Sequence, residues 1–213
     1  YMKCKTITLG QMILEVSVPD DMLNEIRMVY KQEGDKLKKA NAQLAGKIKR
    51  EFQLYYSYGD TLNNVLSEKF LNWYKFQFRT YLIMNKIQTM TIRLSSIWIN
   101  EMYANEYNPV HIHKSNTPTN REGLSSVMII KLPESYGKEY SRDDDPHNGQ
   151  LQFISSGGGQ FSRGTYYPKV KVGDLYIFPY DLRHCVYPFN TTKDSRITVA
   201  ANCDVIFDKY EKE

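Results

Sequence analysis

Hydrophobic residues recur at helical spacing in two segments of the first ninety residues. The first segment begins at an acidic Pro-Asp-Asp sequence at residues 19–21 and ends at a Gly-Asp pair. Its apolar face consists of Met22, Leu23, Ile26, Val29 and Tyr30. The second segment, residues 61–87, carries too many large apolar side chains for a solvated helix, so we expect it to pack on a sheet. Residues 36–52 between them are basic, and we interpret them as a solvated helix face or an ordered linker.

From residue 91 onwards the pattern changes to short runs of β-branched and aromatic residues separated by Gly, Pro, Asn and Asp. The opening residues 3–18 alternate in a similar way and predict a strand or a hairpin. Further strands are predicted at residues 91–100, 109–113, 125–132, 149–154, 164–172, 174–179, 184–188 and 195–204. Many short strands without an intervening helix indicate an antiparallel sandwich or jelly roll.

The length and composition are those of a globular chain with a core. With 213 residues and 41% hydrophobic residues, the sequence predicts one structural domain. We expect residues 1–90 to be mainly helical and to pack on a β-sheet core at residues 91–213.

The net charge and the cysteine content limit the classes of partner and the cellular compartment that we expect. A net charge of +4 permits an anionic small molecule but does not call for nucleic acid. The three cysteines contain no C-x-x-C pair, and we find neither a signal-peptide pattern nor an apolar run of membrane-spanning length. We therefore expect no membrane association and a reducing cytoplasm, that of a host cell if the gene is phage-borne. The oligomeric state does not follow from the sequence.

His111 and His113 are the strongest candidates for chemistry. Two residues apart on an extended segment, they point to the same side, with Cα atoms roughly 7 Å apart, and they can share one metal ion. His184, at the start of a predicted strand, is the candidate for a third protein ligand, whereas His147 lies in a loop and is expected at the surface. The alternative is that two exposed loop histidines are close by chance.

Arg196 and Thr198 follow twelve and fourteen residues after His184, on a predicted strand where they face the same way. An arginine that points into a β-sandwich is costly unless it meets an anion, and its planar fork suits a carboxylate. The Thr198 hydroxyl is placed to donate to the same carboxylate.

The order H-x-H, a distant His and then R-x-T resembles the Fe(II)/2-oxoglutarate-dependent oxygenases, which carry H-x-D/E, a distant His and R-x-S or a similar anchor. Several local sequences resemble the phage-type, prolyl-hydroxylase-like branch of that superfamily: Trp98-Ile99-Asn100, Asn108-Pro109, Ser125-x-Val127, Leu132-Pro133 and Gly173-Asp174-Leu175-x-x-Phe178-Pro179. The resemblance covers roughly residues 91–205. It implies an α+β fold, a double-stranded β-helix (jelly roll) with N-terminal supporting helices.

The resemblance also implies a chemistry. His111, His113 and His184 would bind Fe(II), and no catalytic residue beyond the metal site is expected. The cofactor-binding residues would be Arg196, assisted by Thr198, at the distal carboxylate of 2-oxoglutarate, with Trp98, Asn100, Tyr103 and Asn202 lining the pocket. The enzyme would use O2 to couple decarboxylation of 2-oxoglutarate to oxidation of a C–H bond. A peptide or protein side chain is the first expectation for the substrate, and a small molecule is the second.

One position departs from the family pattern. The familiar triad has two histidines and a carboxylate, and His113 occupies the carboxylate position. Three neutral ligands leave the charge of Fe(II) uncompensated, which favours a dianionic co-substrate. Glu106 and Asp181 are candidate substitute ligands, although neither lies at the expected strand position.

Three other classes of protein fit part of the pattern. A three-histidine zinc hydratase or hydrolase would use the same ligands but gives Arg196 no role. A cupin-type dioxygenase usually has a glutamate shortly after H-x-H, and residues 114–118 contain none. A non-catalytic β-sandwich binding module would tolerate the substitution at His113.

Overall fold

The structure is a computed structural model that describes residues 10–41, 45–87, 90–115, 122–157, 159–160, 163–190 and 193–207. In these ranges it has helices α1 (Asp20–Glu33) and α2 (Glu68–Met84) and a 3-10 turn at Gly34–Lys36. The strands are β1 (Leu14–Ser17), β2 (Arg50–Tyr58), β3 (Thr61–Asn64), β4 (Met90–Met102), β5 (Asn108–His111), β6 (Gly123–Lys131), β7 (Leu151–Ile154), β8 (Thr165–Tyr166), β9 (Asp174–Pro179), β10 (Arg183–Val186) and β11 (Arg196–Phe207). No helix among the described residues is long and apolar enough to cross a membrane.

The strands form two antiparallel sheets. Among the described residues, the major sheet has the order β1-β9-β6-β11-β4-β2-β3 and the minor sheet has the order β5-β10-β7-β8. An apolar cluster joins the two sheets, with Ile129 and Phe178 from the major sheet and Leu151, Phe153 and Val186 from the minor sheet. This is the double-stranded β-helix that the sequence predicts, and the predicted fold class is confirmed.

The two helices cover the outer face of the major sheet. The Ser67 hydroxyl caps α2 by accepting a hydrogen bond from the Phe70 amide at 3.1 Å. Phe70, Tyr74 and Phe78 follow at intervals of four residues and are fully buried in the larger core. Each such side chain contributes about 1.5–3 kcal/mol by burial. These helices therefore support the major sheet by burying their apolar side chains against it.

The N-terminal region differs from its predicted helical character. Part of the expected linker at residues 36–52 is the start of β2, and the expected helix at 61–87 begins with β3 and becomes helical only at Glu68. The reason is a period-two pattern in β2, where Glu51 alternates with the buried Phe52 between two layers. The first ninety residues thus supply three strands of the major sheet in addition to two helices. The division of the chain at residue 90 stays a prediction.

Several predicted strands keep their place but change their length. The strand expected at residues 164–172 is reduced to Thr165–Tyr166, since Pro168 follows closely and has no amide to donate. The strand expected at 109–113 is Asn108–His111 in the structure. His113 lies beyond its end, and its amide donates to the Tyr180 carbonyl at 2.9 Å instead. Of the expected opening strand at 3–18, residues 14–17 form β1 and residues 3–9 lie outside the described residues.

Candidate metal centre

Pairing of the minor sheet brings the three predicted histidines together. His111 on β5 lies directly opposite His184 on β10, and His113 follows two residues later. Their candidate ligand nitrogens all lie within 4.8 Å of one another. The Nε2 atoms of His113 and His184 are 3.1 Å apart. Two imidazoles bound to one ion at about 2.1 Å must have nitrogens within roughly 4.2 Å of each other, and this pair meets that condition.

Backbone carbonyls orient two of the rings. Nδ1 of His111 lies 2.7 Å from the Pro109 carbonyl oxygen, and Nδ1 of His184 lies 2.9 Å from that of Leu182. Because a carbonyl only accepts, each Nδ1 carries the hydrogen and each Nε2 presents its lone pair. Partners of this kind set the tautomer and ring orientation in metal sites. The donor set therefore fits a metal ion that prefers imidazole nitrogen.

The surroundings keep the histidines neutral. Phe178 packs edge-on against His184, with ring centroids 4.6 Å apart, and Trp98 lies 6.0 Å from the ring of His113. Burial lowers the pKa of His111 below its ordinary value and lowers the pKa of His184 to about 3. The pKa of His113 is also held well below its ordinary value, by burial and then by the other two rings. Neutral imidazole is the form that binds metal.

Arg196 lies on the inner face of the major sheet, where it lines the same cavity as the histidines, and it is 2% exposed. Among the described residues, its Nε and Nη2 atoms and the Tyr136 hydroxyl meet no partner at hydrogen-bond geometry, although Tyr136 lies close enough to interact with the guanidinium. Burial lowers the pKa of the Arg196 guanidinium, and Tyr136 opposes this shift. A buried guanidinium with unused donors is costly, and an anion would satisfy them. Thr198, two residues along β11 and also buried, adds a hydroxyl beside it.

A single cavity of about 270 Å³ connects the histidines with Arg196. Of the residues predicted from the sequence, its lining includes His111, His113, His184, Arg196, Thr198, Trp98, Asn100 and Asn202. Leu151, Phe178 and Val186 add apolar side chains to the lining. The cavity thus combines three neutral metal-ligand candidates, the buried cation Arg196, a second basic side chain at Lys114 and an apolar part of the wall.

Tyr103 is the one predicted pocket residue that lies elsewhere, and that prediction is corrected. It is not part of the cavity lining and is 39% exposed. Side chains alternate along β4, and the preceding Met102 already fills the inward position in the core between the sheets. Tyr103 therefore faces outwards, and its amide donates to Glu106 at 2.9 Å.

The two candidate substitute ligands do not join the histidines. Glu106 accepts backbone hydrogen bonds from Tyr103 and Lys49, so its carboxylate holds a turn together. Asp181 accepts from the Gln11 side chain at 2.8 Å. In the described part of the chain, the cluster of candidate ligands around His184 contains the three histidines and no carboxylate.

The remaining histidine also lies outside the cavity lining, as expected for a non-ligand. His147 is half-buried and stacks between Tyr167 and Tyr187, with ring centroids 5.1 and 5.2 Å away. The cavity lining contains four polar residues that the sequence interpretation did not select, Glu51, Asn108, Lys114 and Ser126. The alternation of polar and apolar residues in β2 was the available signal for Glu51.

The comparisons with known proteins agree with this geometry. No curated protein matches the chain. Among solved structures, a prolyl-4-hydroxylase from Pseudomonas putida is similar, with a TM-score of 0.58 and 12% identity over 93% of this chain and 92% of that one. The viral collagen prolyl hydroxylase of Paramecium bursaria Chlorella virus-1, solved with 2OG, has a TM-score of 0.54 and 12% identity, over 90% of this chain and 95% of that one. At these identities the likeness shows the shared fold.

A match to a family model gives the family assignment, which structural similarity at low sequence identity does not give. The model for 2OG-Fe(II) oxygenases matches residues 96–202. That range is half of the chain and contains all three clustered histidines together with Arg196 and Thr198. The protein is thus a member of the 2OG-Fe(II) oxygenase family, an enzyme whose cofactors are Fe(II) and 2-oxoglutarate.

Proposed function

We propose that this oxygenase is a hydroxylase that binds Fe(II) through His111, His113 and His184 and holds 2-oxoglutarate with Arg196 and Thr198. Its substrate would be a peptide or protein side chain, with a small molecule as the second candidate. A prolyl hydroxylase from Trichoplax adhaerens that was solved with a peptide fragment supports the first choice, at a TM-score of 0.52 and 12% identity over 94% of this chain and 84% of that one.

The observation that carries the proposal is the unsatisfied guanidinium of Arg196 in the cavity of the three histidines. A dicarboxylate co-substrate explains both features, because one end would meet the guanidinium while the other reaches the metal. A three-histidine zinc hydratase would use the same imidazoles but leave the Arg196 donors unexplained. A binding module would need neither feature.

Each residue has a separate task in this proposal. The Nδ1 hydrogen bonds to Pro109 and Leu182 keep two Nε2 lone pairs aimed at one point, and the Tyr180 carbonyl holds the backbone of His113. Arg196 would orient the co-substrate by a fork of charge-assisted hydrogen bonds. The wall of Leu151, Phe178 and Val186 limits the access of water. Bound iron supplies the activation of O2 that decarboxylates 2-oxoglutarate to succinate and CO2 and inserts oxygen into a C–H bond.

The test is an anaerobic titration of Fe(II)-loaded protein with 2-oxoglutarate, followed by visible absorption. Chelation by the oxo acid should produce a weak charge-transfer band. In Arg196→Met the protein should still bind Fe(II), and its affinity for 2-oxoglutarate should fall about 100-fold, because a buried charged hydrogen-bond donor is lost.

Arg142→Met is the matched control, since Arg142 is exposed and pairs only with Asp144 among the described residues. It should titrate like the wild type. Metal binding without a band would favour the zinc enzyme, and an unchanged affinity in Arg196→Met would overturn the anchor assignment. Absence of metal binding would leave the binding module.

A further inference from the structure

The wall of the cavity that β2 supplies carries a buried carboxylate, Glu51. Glu51 is 3% exposed and lines the same cavity as the histidines. It lies outside residues 96–202, which hold the metal and co-substrate candidates. A residue supplied by a separate part of the chain is well placed to distinguish substrates rather than to serve the common reaction.

Strand register connects Glu51 with the co-substrate end of the cavity. Thr198 on β11 is directly opposite Asn100 on β4, and Asn100 is directly opposite Glu51 on β2. The three side chains form one polar row across the inner face of the sheet. Arg196 and Thr198 occupy the cationic end of this row, and Glu51 occupies the anionic end. A ligand that spans the cavity therefore meets opposite charges at its two sides.

Hydrogen-bond acceptors outnumber donors around Glu51. Its Oε2 accepts from the Asn41 amide at 2.9 Å, and its Oε1 has no hydrogen-bond partner among the described residues. Asn100 is 8% exposed, and its buried Oδ1 has no partner in the described part of the chain. The Oδ1 atom of Asn108, another lining residue, is also buried and unpaired. These acceptors require a ligand that brings N–H or O–H groups.

The charge near Glu51 favours a cationic donor. Burial, and then the negative charge of nearby Glu106, raise the pKa of Glu51 to about 7. Both carboxylate oxygens of Glu106 are already used by backbone amides, so it adds negative charge without competing for a ligand. Buried charge of this sign is costly unless a cation compensates it. Above this pKa, an uncharged donor would satisfy the hydrogen bonds but leave the carboxylate charge uncompensated.

We infer that Glu51 is a specificity-determining residue that binds a basic nitrogen of the primary substrate, an ammonium or guanidinium group. The substrate class is thus a basic amino-acid side chain or another amine. The inference rests on the proposed function, because it places this group beside the metal and co-substrate. The oxygen would be inserted into a C–H bond of the same molecule, with 2-oxoglutarate as the co-reductant of O2.

The test compares two probes of nearly the same shape. Nα-acetyl-L-lysine methylamide carries the ammonium group, and Nα-acetyl-L-norleucine methylamide lacks it. Calorimetric titrations into protein saturated with Mn(II) and 2-oxoglutarate should show at least tenfold tighter binding of the lysine probe. In Glu51→Gln this preference should disappear, while Mn(II) and 2-oxoglutarate bind as in the wild type.

Glu134→Gln is the control, since Glu134 is an exposed carboxylate outside the cavity lining, and it should keep the preference. The melting temperature is a second measurement, and it distinguishes a role of Glu51 in ligand binding from a role in stabilising the fold. If Glu51 is retained for a ligand at a cost to stability, Glu51→Gln should raise the melting temperature of the ligand-free protein at pH 8.

Equal affinity for the two probes, or no binding of either by the wild type, would overturn the inference. A lower melting temperature of Glu51→Gln, with the probe preference intact, would assign Glu51 a structural role and overturn it as well. Failure of 2-oxoglutarate to bind the wild type would refute the proposed function instead, and the preference for lysine can then be measured in the protein without co-substrate.

Discussion

At the scale of single residues, His113 is the candidate ligand that the resemblance places where the familiar triad has a carboxylate. Its ring is framed by Trp98, Phe178 and Tyr180, with centroids 6.0 to 6.4 Å away, and its Nε2 faces that of His184. These aromatic rings pack around the imidazole, and the Tyr180 hydroxyl already donates to Asp204. An aspartate side chain ends closer to the backbone than Nε2 does. The local packing therefore favours a site built for three imidazoles.

We expect His113→Asp to bind Mn(II) about tenfold more weakly than the wild type or worse, although it restores the familiar triad. His113→Asn is the matched control for shape without charge, and it should be similarly weak because neither side chain reaches the metal position. Calorimetric titration of both variants checks this. Wild-type affinity in His113→Asp alone would instead identify the histidine as a tolerated substitute for the carboxylate.

At the scale of elements, the contact between the start of β6 and the end of β9 positions the metal site. A Cβ atom on Gly123 would lie 2.0 Å from the ring of Tyr180, so only glycine allows this approach. The Tyr180 hydroxyl donates to the buried Asp204 at 3.1 Å, and its carbonyl accepts from the His113 amide. Tyr180 thus contacts both Gly123 and His113, so we expect the packing at Gly123 to affect the position of His113.

Gly123→Ala should destabilise the protein by about 1–3 kcal/mol, as expected for overpacking, and should also weaken metal binding because Tyr180 must move. Gly157→Ala is the control, since a Cβ there meets no atom within 4 Å. Denaturant unfolding gives the free-energy change, and Mn(II) titration gives the affinity. A large loss of stability with unchanged Mn(II) affinity would show that the Tyr180 carbonyl does not control His113.

At the scale of the whole molecule, closure of two sheets around three histidines makes stability depend on pH. The pKa of His184 is lowered to about 3, whereas in the unfolded chain it is about 6.5. Between these values the unfolded chain binds a proton that the folded protein does not. Stability from this group is therefore complete above pH 6.5 and is lost as the pH falls towards 3.

We expect the unfolding free energy of the metal-free protein to fall by up to about 1.4 kcal/mol for each pH unit below 6.5 from His184 alone. His184→Asn should show a smaller slope, whatever its absolute stability, since that proton is no longer taken up on unfolding. Denaturant titrations from pH 7 to pH 5 test this. Equal slopes in the two proteins would mean that His184 is already protonated in the folded state. Saturating Mn(II) should raise the stability of the wild type and not that of the variant.

Local pattern and order along the chain were enough to predict several features of this protein. The H-x-H pair, the distant His184 and Arg196-x-Thr198 carry their spacing with them, and period-two alternation is enough to place most strands after residue 91. Helix α1 likewise follows from apolar spacing and its start signal at residues 19–21, whereas apolar spacing indicated α2 but not its start at Glu68. Predicting these features does not require knowing which strand or helix lies next to them in the fold.

Other features arise from pairing between distant segments, and local pattern could not predict them. Residues 50–58 became a strand because a sheet edge at β4 was available, which a window of sequence does not contain. The same pairing placed Glu51 opposite Asn100 and directed Tyr103 away from the cavity. The unsatisfied state of Arg196 is also a property of the packed molecule, because hydrogen-bond partners come from other strands. Local propensity selects elements, whereas burial and register decide which side chains meet.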